Sequence, residues 1–203
     1  MSKNFQSLRL VILMCCTVFG VVAMAAIDNA GAGPLRVVAT TSDLASIARS
    51  IAGEHAEVES IANGRRDPHF LQAKPAYILA ARKADLWIRV GMELEIGWEE
   101  PIIDGSRNAS IQEGAPGHLD ASKNVRRIDV PEGRVTRAMG DVHPMGNPHY
   151  WLDPLNGRIV AETISKRLQE LDPANAEAYR ENLRRFQDQL DRRMFGDTLV
   201  EAI

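Results

Sequence analysis

The sequence predicts an α/β fold: a lobe built on a parallel sheet with flanking helices, followed by one long helix. Three observations carry this. Residues 35–40 (Leu-Arg-Val-Val-Ala-Thr) are a short, β-branched run entered from Pro34, which reads as a buried strand. A helical pattern and a second short run at 58–62 follow within 30 residues, and strand–helix–strand at that spacing implies parallel pairing. Near the end of the chain, Tyr179, Leu183, Phe186, Leu190 and Met194 recur every three or four positions, the stripe of a single amphipathic helix.

Taken in order, the chain opens with Lys3 and Arg9, an apolar run over 10–22, and Ala23-Met24-Ala25. This is the layout of a secretory signal peptide over 1–25, the alternative being an uncleaved anchor. Residues 26–33 read as a flexible tether. After the first strand, Ser42 and Asp43 can cap a helix bearing Leu44, Ile47, Ala48 and Ile51, which Gly53 ends. Lys74-Pro75 opens a second helix, and 86–90 reads as a third strand stopped by Gly91. Residues 92–103 read as a loop with a helical turn, and 125–130 as a fourth strand. Gly114-Ala115-Pro116-Gly117-His118 reads as a mobile loop. After Pro154, Ile159, Ile164, Leu168 and Leu171 give a helical stripe, and Asp172-Pro173 starts the long helix. The boundaries are therefore 34–171 for the lobe, 172–195 for the long helix and 196–203 for a remainder.

Composition narrows the function. The 203 residues carry a net charge of −3 and 5% aromatics, which argues against a nucleic-acid partner. Both cysteines, Cys15 and Cys16, fall inside the signal region, so any metal site must use nitrogen and oxygen donors. No H-E-x-x-H, nucleophile elbow or phosphate-binding glycine loop is present, so the chain does not read as an enzyme. A metal-dependent hydrolase would need a base such as Glu99 beside the ion.

Two histidines stand out. His69, in Asp67-Pro68-His69-Phe70, and His149, in Asn147-Pro148-His149-Tyr150, each follow a proline and precede an aromatic residue. Proline stiffens the backbone and lowers the entropy lost on fixing a ring. His69 also leaves the second strand, where open α/β sheets form their ligand crevice. Two imidazoles with one or two oxygen ligands suit Zn²⁺, the alternative being two ordinary loop histidines. His143, six positions before His149, could chelate the same ion or support His149 as an outer group. His118 could be a weak accessory ligand or a solvated loop residue.

Several motifs in this order resemble one family. Asp67-Pro68-His69-Phe70, Lys74-Pro75-Ala76-Tyr77-Ile78-Leu79, the stretch from Ala84-Asp85-Leu86 to Gly91-Met92-Glu93-Leu94-Glu95, and Gly146-Asn147-Pro148-His149-Tyr150-Trp151-Leu152-Asp153-Pro154 are similar to the cluster A-I solute-binding proteins of metal ABC transporters. The resemblance implies two α/β lobes joined by a rigid helix, with a divalent metal held between them and delivered to a membrane ABC permease. It implies that His69 and His149 are the ligands of the N-terminal lobe. It further implies that the C-terminal lobe, with the remaining ligands, is absent from this chain. In the family a third histidine goes with zinc and a carboxylate there with manganese or iron. The form of the first motif and the presence of His143 point to Zn²⁺, with Mn²⁺ as the alternative. The expectation is thus a metal-capturing receptor in the periplasm or on the extracytoplasmic surface. The competing readings are an adhesin-like surface protein with a structural metal and the hydrolase.

Overall fold

Strand β1 (Leu35–Ala39) sits inside a sheet of four parallel strands in the order β2-β1-β3-β4, with β2 at Ala56–Ser60, β3 at Leu86–Arg89 and β4 at His118–Asp120. The computed structural model describes residues 33–136, 139–140 and 142–202. The signal-peptide reading of 1–25 and nearly all of the tether lie outside the described residues. No helix among the described residues is long and apolar enough to cross a membrane.

The central strands β1 and β3 are buried on both faces because their side chains alternate between two apolar layers, whereas edge strand β2 exposes Glu57 and Glu59. Val37, Ala39, Leu86 and Ile88 point into one layer with Leu44, Ile51, Ile164, Leu168 and Tyr179. Val38 and Trp87 point into the other with Ala81, Trp98, Ile102 and Ile111. The first layer is closed by helices α1 (Ser42–Ala52), α4 (Pro154–Leu171) and α5 (Ala176–Phe195), which pack on one another. The second is closed by α2 (Pro75–Lys83) and α3 (Glu99–Ser106).

Helix ends follow side-chain chemistry. Thr41, and not Ser42 or Asp43 as the sequence suggests, caps α1 by accepting from the Leu44 N–H. Proline occupies the first turn of α2 and of α4, where its missing N–H costs nothing, and Asp153 caps α4 through the Leu155 N–H. The long helix begins at Ala176, after a short 3₁₀ turn at Pro173–Asn175. The Asp172 carboxylate there accepts from Tyr179 Oη at 2.6 Å and Asn175 Nδ2 at 2.8 Å.

The expected strand at 125–130 is corrected: this stretch is irregular, and the fourth strand is the three-residue β4. Val125 is buried, but Ile128 and Val130 are exposed and Asp129 is left-handed, with φ 54°. Strand propensity in a stretch that pairs with no strand does not make a strand. The expected loop with a helical turn at 92–103 resolves into tight turns followed by α3.

In this order the chain runs outward from β1 to β2, then returns to place β3 on the other side of β1. The C-terminal ends of β1 and β3 therefore form the topological switch point, where open α/β sheets place their ligands.

Candidate metal centre

His69 lies in a 3₁₀ turn, Pro68–Phe70, just beyond β2. Asp67 builds this turn: its Oδ1 accepts the His69 backbone N–H at 2.9 Å and lies 2.7 Å from the ring Nδ1. The His69 backbone N–H, then the bond to the ring, hold the Asp67 carboxyl below its ordinary range. With Nδ1 engaged, Nε2 is left as the outward nitrogen. It is buried and makes no hydrogen bond among the described residues.

His149 repeats the device. Asn147 Oδ1 accepts the His149 backbone N–H at 3.0 Å and lies 2.9 Å from its Nδ1. An amide oxygen only accepts, so this contact fixes the tautomer with the proton on Nδ1. In both turns a side-chain oxygen two residues upstream takes the backbone donor and the ring donor together. The sequence reading attributed the rigidity to proline alone and passed over Asp67 and Asn147. The signal was present as a repeated Asp/Asn-Pro-His.

The turns bring the rings together. The ring centres of His69 and His149 are 5.1 Å apart, and those of His69 and His143 are 5.2 Å apart. Two imidazoles on one tetrahedral ion place their centres about 5 Å apart, since each centre lies about 3 Å from a metal bonded at about 2.0–2.1 Å. Trp151 packs beside His149, with centres 5.3 Å apart. Among the described residues, no three His, Asp, Glu or Cys side chains are gathered as a ready coordination sphere.

Gly146 makes the return from His143 to His149 possible. Its φ is 102°, and a Cβ there would meet the Ile128 carbonyl oxygen at 2.7 Å. That same carbonyl accepts the Asn147 N–H at 2.9 Å. His69 and His143 line an open cavity of about 350 Å³ together with Phe70, Glu93, Leu94 and Ile96.

His118 belongs to a different cluster, and the mobile-loop reading of it is corrected. It opens β4, is buried, and its Nε2 lies 3.4 Å from Glu99. Glu99 also accepts from Trp87 Nε1 at 2.8 Å and Arg89 at 3.1 Å, and Arg89 reaches Asp120 at 3.1 Å. Burial raises the Glu99 carboxyl, but His118, Arg89 and Trp87 outweigh it and hold the group below its ordinary value. Glu99 is thus held inside the fold by Trp87, Arg89 and His118.

A parallel α/β lobe thus brings the His69, His143 and His149 rings together beyond its strands. Residues 37–193 match the family described as zinc-uptake complex component A, periplasmic, and the chain belongs to that family. It is 32% identical over 168 residues to the manganese ABC transporter substrate-binding lipoprotein PsaA of Streptococcus mitis, covering 81% of this chain and 51% of that protein. It is 33% identical over 190 residues to the metal ABC transporter substrate-binding lipoprotein SsaB of Streptococcus sanguinis, covering 93% and 58%. Among solved structures, the Mn-bound periplasmic metal binding protein of Candidatus Liberibacter asiaticus superposes with a TM-score of 0.62 at 25% identity, over 76% of this chain and 52% of that one. A crystal structure of ZnuA matches with a TM-score of 0.62 at 24% identity, over 78% and 55%, a likeness of fold. The chain spans about half the length of these relatives.

Proposed function

We propose that this chain captures a divalent cation outside the cytoplasmic membrane, catalyses no reaction, and serves an ABC importer by presenting the ion to its permease. His69 and His149 are the ligands and His143 is an accessory ligand or a support for His149. The observation that carries this reading is the pair of matched turns: each ring is held through Nδ1, and the two ring centres sit 5.1 Å apart.

Zinc is the preferred cargo and manganese the alternative. The clustered donors are imidazole nitrogens, which suit zinc, whereas manganese favours sets rich in carboxylates. The family's description names zinc and several relatives are named for manganese, so both ions belong in the test.

Zinc and manganese are titrated into the chain and into His69→Ala, His149→Ala and the double variant, in competition with a chromophoric chelator. The parent is expected to bind zinc ahead of manganese, and each single variant to weaken zinc by at least about tenfold. Zinc binding by the double variant equal to that of the parent would overturn the assignment.

A further inference from the structure

The histidine turns come from distant parts of the chain, yet one short segment touches both. Trp98 Nε1 donates to the carbonyl of Pro68, beside His69, at 2.8 Å. Tyr150, beside His149, donates its Oη to the carbonyl of Val90 at 2.8 Å. Residues 90–98 therefore hold one turn at each end, and both aromatic rings are buried.

That segment has a conformation its own residues do not favour. Gly91, Met92 and Glu93 are all left-handed, with φ of 82°, 52° and 66°, and two of them carry a Cβ. The fastening comes from the side chain of Glu95. Its Oε1 accepts from Thr40 Oγ1 at 2.7 Å and from the Val90 N–H at 2.7 Å, and its Oε2 accepts from the Gly91 N–H at 3.1 Å. Thr40 follows β1, and Val90 and Gly91 follow β3. The carboxylate thus fills the switch point between these strands, and it is 3% exposed. The usual ligand crevice of such a sheet is closed by the protein's own acid, which leaves the histidine turns seated on the segment that Glu95 holds down.

We infer that Glu95 is a positioning residue: it locks residues 90–98 onto the ends of β1 and β3 and, through the Trp98–Pro68 and Tyr150–Val90 hydrogen bonds, sets the separation of the His69 and His149 rings. The inference rests on the metal reading for its consequence but not for its geometry. Loss of one tie lets the attached turn drift while the fold persists, because Phe in place of Tyr or Trp retains an aromatic body in the core.

The test uses Tyr150→Phe, Trp98→Phe and Glu95→Gln in the full chain. Metal-free crystal structures report the ring separation, the absorption spectrum of the Co²⁺-loaded protein reports ligand geometry, and chelator competition reports zinc affinity. The expected result is a displaced ring pair, a shifted Co²⁺ spectrum and about tenfold weaker zinc binding in the Phe variants. Ring centres still near 5 Å with an unchanged Co²⁺ spectrum would overturn the inference, and so would a lowered thermal midpoint alone. If Glu95→Gln fails to fold, Thr40→Val, which removes only the Glu95 bond at the end of β1, replaces it as the test of the lock, while the two Phe variants test the ties. Parent-like zinc binding by His69→Ala would sink the metal reading separately, and the metal-free ring separations would still judge the positioning role.

Discussion

The turn at Asp67-Pro68-His69 and the turn at Asn147-Pro148-His149 share a hydrogen-bonding plan and differ in the group that builds it. In both, an oxygen two residues ahead of the histidine holds the backbone N–H and ring Nδ1. In the first that oxygen belongs to a carboxylate, in the second to an amide. A carboxylate partner raises the basicity of the far nitrogen, whereas an amide only orients the ring. On the proposed metal reading the two imidazoles would therefore be unequal ligands, with His69 the stronger. The turns also share their footing, since segment 90–98 ties both to the sheet.

Disturbing that common footing is expected to have the largest effect and to act on both turns alike. Burial first, then the neighbouring Glu99 carboxylate, push Glu95 up to about 7, against the pull of Thr40, Val90 and Gly91. Tyr150, whose own hydroxyl is raised by burial, is the other titratable group coupled to it. Because the folded value lies above the ordinary 4.5, the folded chain binds more protons between the two. The resulting stability is fully present below about 4.5 and is lost as pH rises through about 7. One unit corresponds to about 1.4 kcal/mol, so the swing is on the order of 3 kcal/mol. Urea denaturation of the metal-free protein from pH 4.5 to 8.5 should show the parent losing stability relative to Glu95→Gln. A difference that does not change with pH would remove this account.

Breaking each turn separately comes next. Asp67→Ala removes both bonds and the charge, and is expected to weaken zinc binding by about 10- to 100-fold. Asn147→Ala removes the same bonds without a charge and should cost less, about tenfold or below. Competition titrations of the two variants give the ratio. Equal losses would mean that orientation is all the upstream oxygen contributes, and the inequality of the ligands would be abandoned.

The sheet and its covering helices were legible because burial on both faces leaves short β-branched runs, and amphipathic helices leave periodic stripes. Leu44, Ala48 and Ile51 on α1, and Ile164 and Leu168 on α4, lie in the core where their spacing places them. What escaped is what tertiary contacts decide. Trp87 of β3 lies in register with His118, and His118–Asp120 forms a strand too short to announce itself. Residues 125–130 look like a strand but pair with none of the four strands. The left-handed run at 91–93 depends on an acid two residues beyond it reaching two strand ends. The prominence of His69 and His149 could be read from the proline contexts, but their proximity depends on the two turns and on the 90–98 segment that both bond to. That His143 also approaches His69 needed the fold of the 143–149 loop, which Gly146 permits.

The smallest effect comes from making the two turns the same. Asn147→Asp would put a carboxylate behind His149, and on that ground alone zinc should bind more tightly. The surroundings oppose it. Asn147 Nδ2 donates to Asp129 Oδ2 at 3.2 Å, so the side chain must accept toward the ring and donate toward an acid. An aspartate at 147 would face the Asp129 carboxylate with no donor, and like-charge repulsion would draw the turn away from its ring. Asn147→Asp alone is therefore expected to bind zinc no better than the parent. Paired with Asp129→Asn, which restores a donor opposite the new carboxylate, the gain should emerge as a few-fold increase in affinity. Chelator competition on the parent, the single and the double variant separates the terms. A single variant as tight as the double would show that Asp129 does not dictate the amide at 147, and the difference between the turns would need another cause.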